Sequence, residues 1–327
     1  MQALELPLTG MVDVWCADAS DGCQSDATFP ESRFAPAADR QERYARAVAE
    51  GYRRMRSGRV VIAGLARNVA WALPQTIARI ERLGSLFGAY RVVVYENDSL
   101  DPTPALLKQW RRRNFRVTVL SEIRHDMLNR PVRCALRAQR MAYYRNQYHQ
   151  CVARRYADYD HVIVLDTDLA GGFSYDGIAH TFGQEDWDSV GSYGIVYKRL
   201  GLRPNCAIHY DAWAFRADDE FRPLSSRLVN AMHFRRGAPM VPVASCFGGL
   251  GVYRMEAFLA GRYGGGDCEH VALHRQMREA GHARIFLNPS QITIYGRKRR
   301  KMDRWVLLCQ RALAACGLGY GTDWYRP

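Results

Sequence analysis

Four short runs of apolar and β-branched residues recur through the first half of the chain, separated by stretches of helical periodicity. The runs are Arg59 to Leu65 (RVVIAGL), Tyr90 to Tyr95 (YRVVVY), Arg116 to Leu120 (RVTVL) and His161 to Leu165 (HVIVL). A helix over Leu73 to Gly84 carries Ile77, Ile80 and Leu83 on one face. Asp101-Pro102-Thr103 opens a second helix through Arg112, and a long one covers Arg133 to Arg155. This alternation calls for a parallel sheet with right-handed crossovers. The fold class is therefore α/β: an open, mostly parallel nucleotide-binding sheet flanked by helices.

Elsewhere the patterning is weaker. Residues 1 to 38 read as an irregular arm punctuated by Gly22, Pro30 and Pro36. Asp39 can cap a helix to Ser57 on which Tyr44, Val48 and Tyr52 recur every fourth residue. The second half is less regular, with strands expected at Ser189 to Tyr197, Ala212 to Arg216, Val252 to Arg254 and near Ile292 to Tyr295. A helix is expected over Glu269 to Ala280, and the glycine-rich Phe247-Gly248-Gly249-Leu250-Gly251 precedes the Val252 strand. The expected division is an N-terminal arm and helix (1–58), one nucleotide-binding domain (59–296) whose C-terminal half binds acceptor, and a basic amphipathic tail (297–327).

Size and composition narrow the function classes. With 327 residues, 48% of them hydrophobic, the chain can bury a sizeable core. No uninterrupted apolar run reaches the ~18 residues of a membrane span. Met1 to Pro30 lacks a basic-then-apolar leader, so the expected location is the cytoplasm. The nine cysteines are dispersed without a C-x-x-C pair, which suits a reducing compartment. The net charge of +13 favours anionic partners. It is carried almost wholly by arginine, with 4 lysines among 46 basic residues, and is spread along the chain except at 297–304. A nucleic-acid partner is not expected from that distribution.

The most informative residues are Asp166-Thr167-Asp168, at the exit of the apolar HVIVL run. In open α/β sheets ligands bind beyond the carboxyl ends of strands. Residues i and i+2 of an extended chain point the same way, so Asp166 and Asp168 can face one ion. Paired carboxylates suit Mn²⁺ or Mg²⁺, and such an ion offsets charge on a diphosphate leaving group. A second acidic strand end lies at Glu96-Asn97-Asp98, where Asp98 either caps the next helix or hydrogen-bonds a nucleotide.

Several segments in order then resemble the cryptococcal capsule-associated α-1,3-mannosyltransferase family. They are Arg67-Asn68, Tyr95-Glu96-Asn97-Asp98-Ser99-x-Asp101-x-Thr103, Arg145-Asn146 and Val164-Leu165-Asp166-Thr167-Asp168. The series continues with Tyr210-Asp211-Ala212-Trp213, Ser245-Cys246-Phe247-Gly248-Gly249 and Asp267-Cys268-Glu269-His270. The resemblance covers roughly residues 59 to 296. It implies a GT-A-type fold, Mn²⁺ dependence and a nucleotide-sugar donor, GDP-mannose in the named members, with a UDP-sugar as the other option. It also favours a retaining reaction.

By that resemblance Gly64, Ala66, Arg67 and Asn68 cradle the nucleotide, and Glu96, Asp98, Arg145, Asn146 and Asp166 contact the donor. Asp166 and Asp168 hold the metal, with His270 and His274, one helical turn apart, as candidate further ligands. Glu269 is the preferred catalytic acid residue, with Asp267 and Asp211 beside it. Helix-surface histidines, a solvated Arg145 and a core-packed Trp213 are the plainer readings of the same residues. Tyr210-Asp211-Ala212-Trp213 and Phe247-Gly248-Gly249 can floor an acceptor site, since aromatic faces stack on sugars. The tail Arg297-Lys298-Arg299-Arg300-Lys301 with Trp305-Val306-Leu307-Leu308 suggests peripheral membrane contact, the acceptor being a glycan or lipid-linked glycan. The competing class is a non-catalytic nucleotide-sugar or polysaccharide-binding protein on the same fold.

Overall fold

A computed structural model describes residues 29–127, 133–200 and 203–295. The arm up to residue 28 and the basic tail from residue 296 lie outside the described residues.

The elements in chain order are α1 (Gln41–Ser57), β1 (Arg59–Ala66), α2 (Leu73–Ser85), β2 (Ala89–Asn97), α3 (Thr103–Arg113), β3 (Val117–Glu122), α4 (Ala135–Arg155) and β4 (His161–Asp166). There follow β5 (Gly172–Phe173), α5 (Tyr175–Phe182), β6 (Ser189–Leu200), β7 (Arg203–His209), α6 (Ser226–Asn230) and β8 (Val241–Pro242). The chain ends with β9 (Leu250–Arg254), α7 (Met255–Ala260), α8 (Glu269–Glu279) and β10 (Ile285–Ile294). The strands form one sheet in the order β3-β2-β1-β4-β9-β6-β10-β5, with β7 on β6 and β8 on β10. Strands β1 to β4 are mutually parallel, and β6 and β10 run the same way. Strands β5, β7, β8 and β9 run against them. The α/β class and the mostly parallel, helix-flanked sheet are as the apolar runs predict.

Each sheet face carries its own core. On one, Val61, Val93, Val162 and Val164 meet Tyr148 and Val152 of α4 and Leu273 and Met277 of α8. On the other, Val60, Ile62, Val92 and Ile163 meet Leu73, Ile80 and Leu83 of α2, Leu107 of α3 and Ile178 of α5. Helix α1 lies on α5 at van der Waals distance: a Cβ on Gly51 would fall 1.6 Å from the Ala179 carbonyl oxygen, and one on Gly183 1.9 Å from that of Ala47.

Two expectations are corrected. Ala212 to Arg216 is a turn, not a strand: the Asp211 carbonyl accepts from the Ala214 and Phe215 amides, and only Arg216 bridges to Ser245. The last strand begins seven residues earlier than expected, at Ile285. Its pairing with β6 breaks between Asn288 and Ile292, although their partners Ser192 and Tyr193 are adjacent. Pro289, Ser290 and Gln291 form the resulting bulge. Gln291 fills it, donating to the Val190 carbonyl and Ser192 Oγ at 3.2 and 3.0 Å and accepting from Thr181 Oγ1 at 2.7 Å.

This order creates a crevice. The chain winds outward from β1 to β2 to β3, then returns to place β4 on the other side of β1. Ligands of open α/β sheets bind at such a switch point, beyond the carboxyl ends of the strands. Arg67 follows β1 there, and Asp166 ends β4.

Candidate active site

The turn after β4 is pinned from three sides. Thr167 Oγ1 donates to the Leu65 carbonyl at 2.6 Å, and its own carbonyl accepts from Thr76 Oγ1 at 2.9 Å. The buried Arg79 guanidinium donates to the Leu169 carbonyl at 2.9 Å. Strand β1 can approach this turn because residue 64 is glycine: a Cβ there would sit 2.7 Å from the Leu165 carbonyl oxygen. Gly64 thus serves strand packing, and Ala66 beyond it is buried.

Asp166 projects from this fixed turn with about a quarter of its side chain exposed, 26%. Arg145 Nη2 reaches one carboxylate oxygen at 3.2 Å and the Tyr295 hydroxyl donates to the other at 2.6 Å. The same arginine, 3% exposed, donates through Nε to Glu269 at 3.0 Å and through Nη1 to the Tyr148 hydroxyl at 3.2 Å. One buried guanidinium therefore ties the strand-end aspartate to the helix-α8 glutamate. Charge-assisted bonds of this kind are about twice as strong as neutral ones, and they hold both carboxylates in place. Arg145 is buried rather than solvated, settling the alternative left open by its helical position.

Tyr295 stands just past β10, and its ring packs on Tyr210 at 4.0 Å between centroids. Gly249 leaves it room, since a Cβ there would meet the Tyr295 hydroxyl at 2.6 Å. Burial raises both phenols above their ordinary range, and the charges of Asp166 and Asp168 add to the effect. Asp168 thus lies close enough for its charge to act on both rings.

Asp211 enters from the chain after β7 with φ 151°, a conformation that non-glycine residues rarely adopt. Its Oδ2 accepts from the Phe247 and Gly248 amides at 2.6 and 2.7 Å. Burial pushes its pKa up to about 7; the two amides oppose the rise, and the Asp166 and Glu269 charges reinforce it. The glycine-rich segment therefore grips a carboxylate through its backbone.

The two histidines part company. His274 has Nδ1 2.8 Å from Ser245 Oγ and Nε2 3.2 Å from the Tyr253 hydroxyl, which leaves neither nitrogen for a metal. It is a core residue, and its candidacy as a ligand is withdrawn. His270, 2% exposed, stacks on Phe247 at 3.8 Å, and neither ring nitrogen has a hydrogen-bond partner among the described residues. Its Nε2 lies 3.9 Å from Glu269. Burial, aided by the Arg145 charge, holds its pKa well below the usual histidine range, so the ring is neutral.

Other candidates prove to build the frame. Asp98, at φ 51°, accepts from the Arg124, His125 and Asp126 amides at 2.8, 2.9 and 3.0 Å and from Asn97 Nδ2 at 2.8 Å. Burial alone would raise its pKa, but these donors hold it below the carboxylate norm. Asp98 is therefore a clamp on the loop after β3 rather than a cap on α3. The N-cap position of α3 is Pro102, and Asp101 before it accepts from Thr103 N at 3.0 Å and from Ala70 N at 2.9 Å. Glu96 accepts from Ser99 N and Ser121 Oγ at 3.0 and 2.6 Å. Asn68, at φ 54°, receives Leu100 N at 2.7 Å. Arg67 donates to the Asp126 and Met127 carbonyls and lies 4.0 Å from Asp98. Asn146 exchanges both amide groups with the Tyr263 backbone at 2.9 and 3.2 Å, so its side chain is used up in fixing a loop. Asp267 receives both bonds from the buried Arg216 Nη2, at 2.8 and 2.7 Å. Arg216 is buried and Asp267 is 40% exposed, so this carboxylate is spent on a pair of its own rather than on the Arg145 bridge.

No motif in the sequence marks Tyr295 or Arg216 as a site residue, and Tyr210 is marked only as part of an acceptor floor. Tyr295 follows a strand that starts seven residues before its expected start, and nothing in local periodicity marks a tyrosine for a distant carboxylate. Arg216 carried a signal: an arginine closing an aromatic-rich turn has to find an acid if it is buried.

Asp166 and Asp168 offer hard oxygen donors on a rigid strand end, which fits an Mn²⁺ or Mg²⁺ ion shared with phosphate oxygens. The unpartnered nitrogens of His270 are compatible with a further ligand. Among the described residues, no group of three or more His, Cys, Asp or Glu side chains is arranged to hold a metal without such help.

No protein-family model matches the chain, and a search of curated proteins finds no match. Similar solved structures include a mannosyltransferase from Pyrobaculum calidifontis (PcManGT) in complex with GDP-Man and Mn²⁺. It is 14% identical with a TM-score of 0.44, over 84% of this chain and 73% of that one. Glucosyl-3-phosphoglycerate synthase from Mycobacterium tuberculosis, with Mn²⁺, UDP-glucose and phosphoglyceric acid, gives 13% identity and a TM-score of 0.45 over 84% and 85% of the two chains. GalNAc-T7 with UDP, GalNAc and Mn²⁺ gives 12% and 0.44, this chain spanning 44% of its length. Likeness of this depth assigns neither a site nor a substrate to the present chain.

Proposed function

We propose that the protein is a metal-dependent glycosyltransferase that uses a nucleotide-sugar donor. The observation that carries the reading is the Arg145 bridge at the switch point, which presents Asp166 at the crevice and fixes Glu269 beside it. The ordered motifs of the capsule-associated mannosyltransferases favour a hexose, mannose from GDP-mannose ahead of a UDP-sugar, transferred with retention to a glycan or lipid-linked acceptor on a GT-A-type scaffold.

In this reading Asp166 and Asp168 hold Mn²⁺ or Mg²⁺, with His270 as candidate third ligand. The ion, when bound, offsets charge on the departing diphosphate. Tyr295 and Arg145 fix the Asp166 carboxylate so that no reorganisation is needed on binding. Glu269, an anion held by Arg145, faces the positive charge that builds on the sugar ring. Asp211 accepts a hydrogen bond from an acceptor hydroxyl, with Trp213 as a stacking surface. The new bond forms between the acceptor oxygen and C1 as the C1–phosphate oxygen bond breaks, and the acceptor proton leaves with the phosphate. Arg67, Asn68, Glu96 and Asp98 support the nucleotide side by shaping the two strand exits. Asp267 stays the partner of Arg216.

A thermal-shift series with GDP- and UDP-sugars, with and without Mn²⁺, tests the reading. A donor at a hundred times its Kd should stabilise the fold by about 2.7 kcal/mol. Asp168→Ala should remove the metal dependence while the apo protein melts as before. If no nucleotide sugar stabilises the protein with either metal, the reading fails. Binding without transfer to any acceptor or to water would instead favour the non-catalytic alternative.

No helix among the described residues is long and apolar enough to cross a membrane. A cytoplasmic enzyme touching the membrane surface through residues 297–313 remains part of the proposal. Liposome co-sedimentation of the full chain checks it.

A further inference from the structure

Among the described residues, one arginine beside the site has no acidic partner. Arg145 is spent on Asp166 and Glu269, Arg216 on Asp267, and Arg67 on two carbonyls. Arg137, two helical turns before Arg145 on α4, is part-buried, and no carboxylate among the described residues pairs with it. Its guanidinium lies over the Trp213 ring at 4.9 Å, and its Nε is buried without a hydrogen-bond partner. Its charge acts on the Tyr210 hydroxyl, the same group that the charges of Asp166, Asp168 and Asp211 reach. A guanidinium packed over an indole has its in-plane donors left for another partner. A buried donor left unpaired is costly, and a ligand that pairs it recovers that cost.

We propose that Arg137 and Trp213 form an anion subsite for the acceptor, so that the molecule receiving the sugar carries a phosphate or carboxylate group close to its reacting hydroxyl. The inference rests on the glycosyltransferase reading for the word acceptor, but not for the subsite itself. The donor's own diphosphate is the other source of such an anion. It belongs at Asp166 and Asp168, where a metal offsets its charge, whereas the Arg137 guanidinium lies over Trp213 and its backbone is ~12 Å along α4 from that of Arg145, eight residues at 1.5 Å each. A guanidinium can pair with a planar or tetrahedral oxyanion through two bonds at once, and such charge-assisted bonds are about twice as strong as those to a neutral sugar hydroxyl.

The test titrates inorganic phosphate into the protein, alone and after saturation with GDP or UDP and Mn²⁺, and repeats both titrations with Arg137→Gln, Arg137→Lys and Trp213→Leu. Phosphate should bind the saturated wild-type protein. Arg137→Gln should weaken that binding about tenfold or more, and Arg137→Lys should restore only part of it because the bidentate edge is lost. The Kd for nucleoside diphosphate should stay within about twofold throughout. Phosphate that fails to bind the saturated protein, or binds Arg137→Gln as well as wild type, overturns the subsite. Loss of nucleotide affinity in Arg137→Gln by the same factor also overturns it, by making Arg137 a donor residue. Failure of both nucleoside diphosphates to bind would sink the glycosyltransferase reading instead, and the phosphate titration into the unsaturated protein would still decide on the subsite.

Discussion

Asp211 is the residue whose environment is most at odds with its charge. Burial lifts its pKa from the ordinary 3.8 to about 7, and the Asp166 and Glu269 charges add to that rise. Between those two values the folded protein binds more protons than the unfolded chain, so this group lowers stability as pH rises from about 4 to about 7. Above pH 7 the cost is fully present. Asparagine can still accept from the Phe247 and Gly248 amides but carries no charge. Asp211→Asn should therefore melt several degrees above wild type at pH 8 and close to it at pH 4. Equal differences at the two pH values would show that burial does not strain this carboxylate. Legibility at this scale was uneven. Asp166 announced itself, being an acid that ends an apolar run. Asp98 looked equally promising, yet its oxygens are taken by three amides of a loop about 27 residues away in sequence. Whether a carboxylate faces a ligand or a backbone depends on that tertiary neighbour, and no spacing rule records it.

Among the helices, α2, with two contrasting faces, was visible in sequence and α5, without them, was not. Helix α2, with Ile80 and Leu83 buried and Arg82 at the surface, matches its expected bounds to one residue. Helix α5 was overlooked because seven of its residues, Tyr175 and Gly177 to Phe182, are buried, so no polar stripe gives it a period. It is nonetheless the platform for α1. There intrinsic propensity and packing make opposite demands. Gly51→Ala in a free helix gains about 1 kcal/mol. Here the new methyl would lie 1.6 Å from the Ala179 carbonyl oxygen, so the helices have to separate. Overpacking of that kind costs about 1–3 kcal/mol and outweighs propensity. Gly51→Ala should lower the melting temperature by several degrees, while donor affinity well below the transition stays at the wild-type value. A rise in melting temperature would mean that α1 does not seat on α5 as described.

The molecule as a whole separates a rigid base from a crevice rim. The two cores on the sheet faces, with α1, α2 and α5 on one of them, lie under the strand ends. The carboxylates come together above from β4, the chain after β7 and the start of α8. Hydrogen exchange should respect that division. A nucleotide sugar with Mn²⁺ should slow exchange in 166–170, 246–249, 268–270 and 293–295 and leave α1 and α5 unchanged. Uniform slowing would mean that the ligand tightens the whole fold rather than binding at the crevice. The parallel half of the sheet was legible because every strand in it is built on a run of apolar and β-branched residues. In the second half β6, β9 and α8 were legible too, whereas β5, β7 and β8 were not, because β5 and β8 are two residues each and β7 is polar at its start.

The bulge in β10 has a consequence for how this chain can change length. Its first four paired residues take their positions from Ser189 to Ser192 and its last three from Tyr193 to Ile195, so three residues of slack are absorbed between two fixed addresses. Tyr295 reaches Asp166 only because that slack is the right size. A one-residue deletion or duplication in 289–291 would leave both cores supplied with apolar side chains while rotating the phenol off the carboxylate. Natural variants of this fold should accordingly vary in length elsewhere, and keep this segment at its present count wherever the carboxylate is still in use.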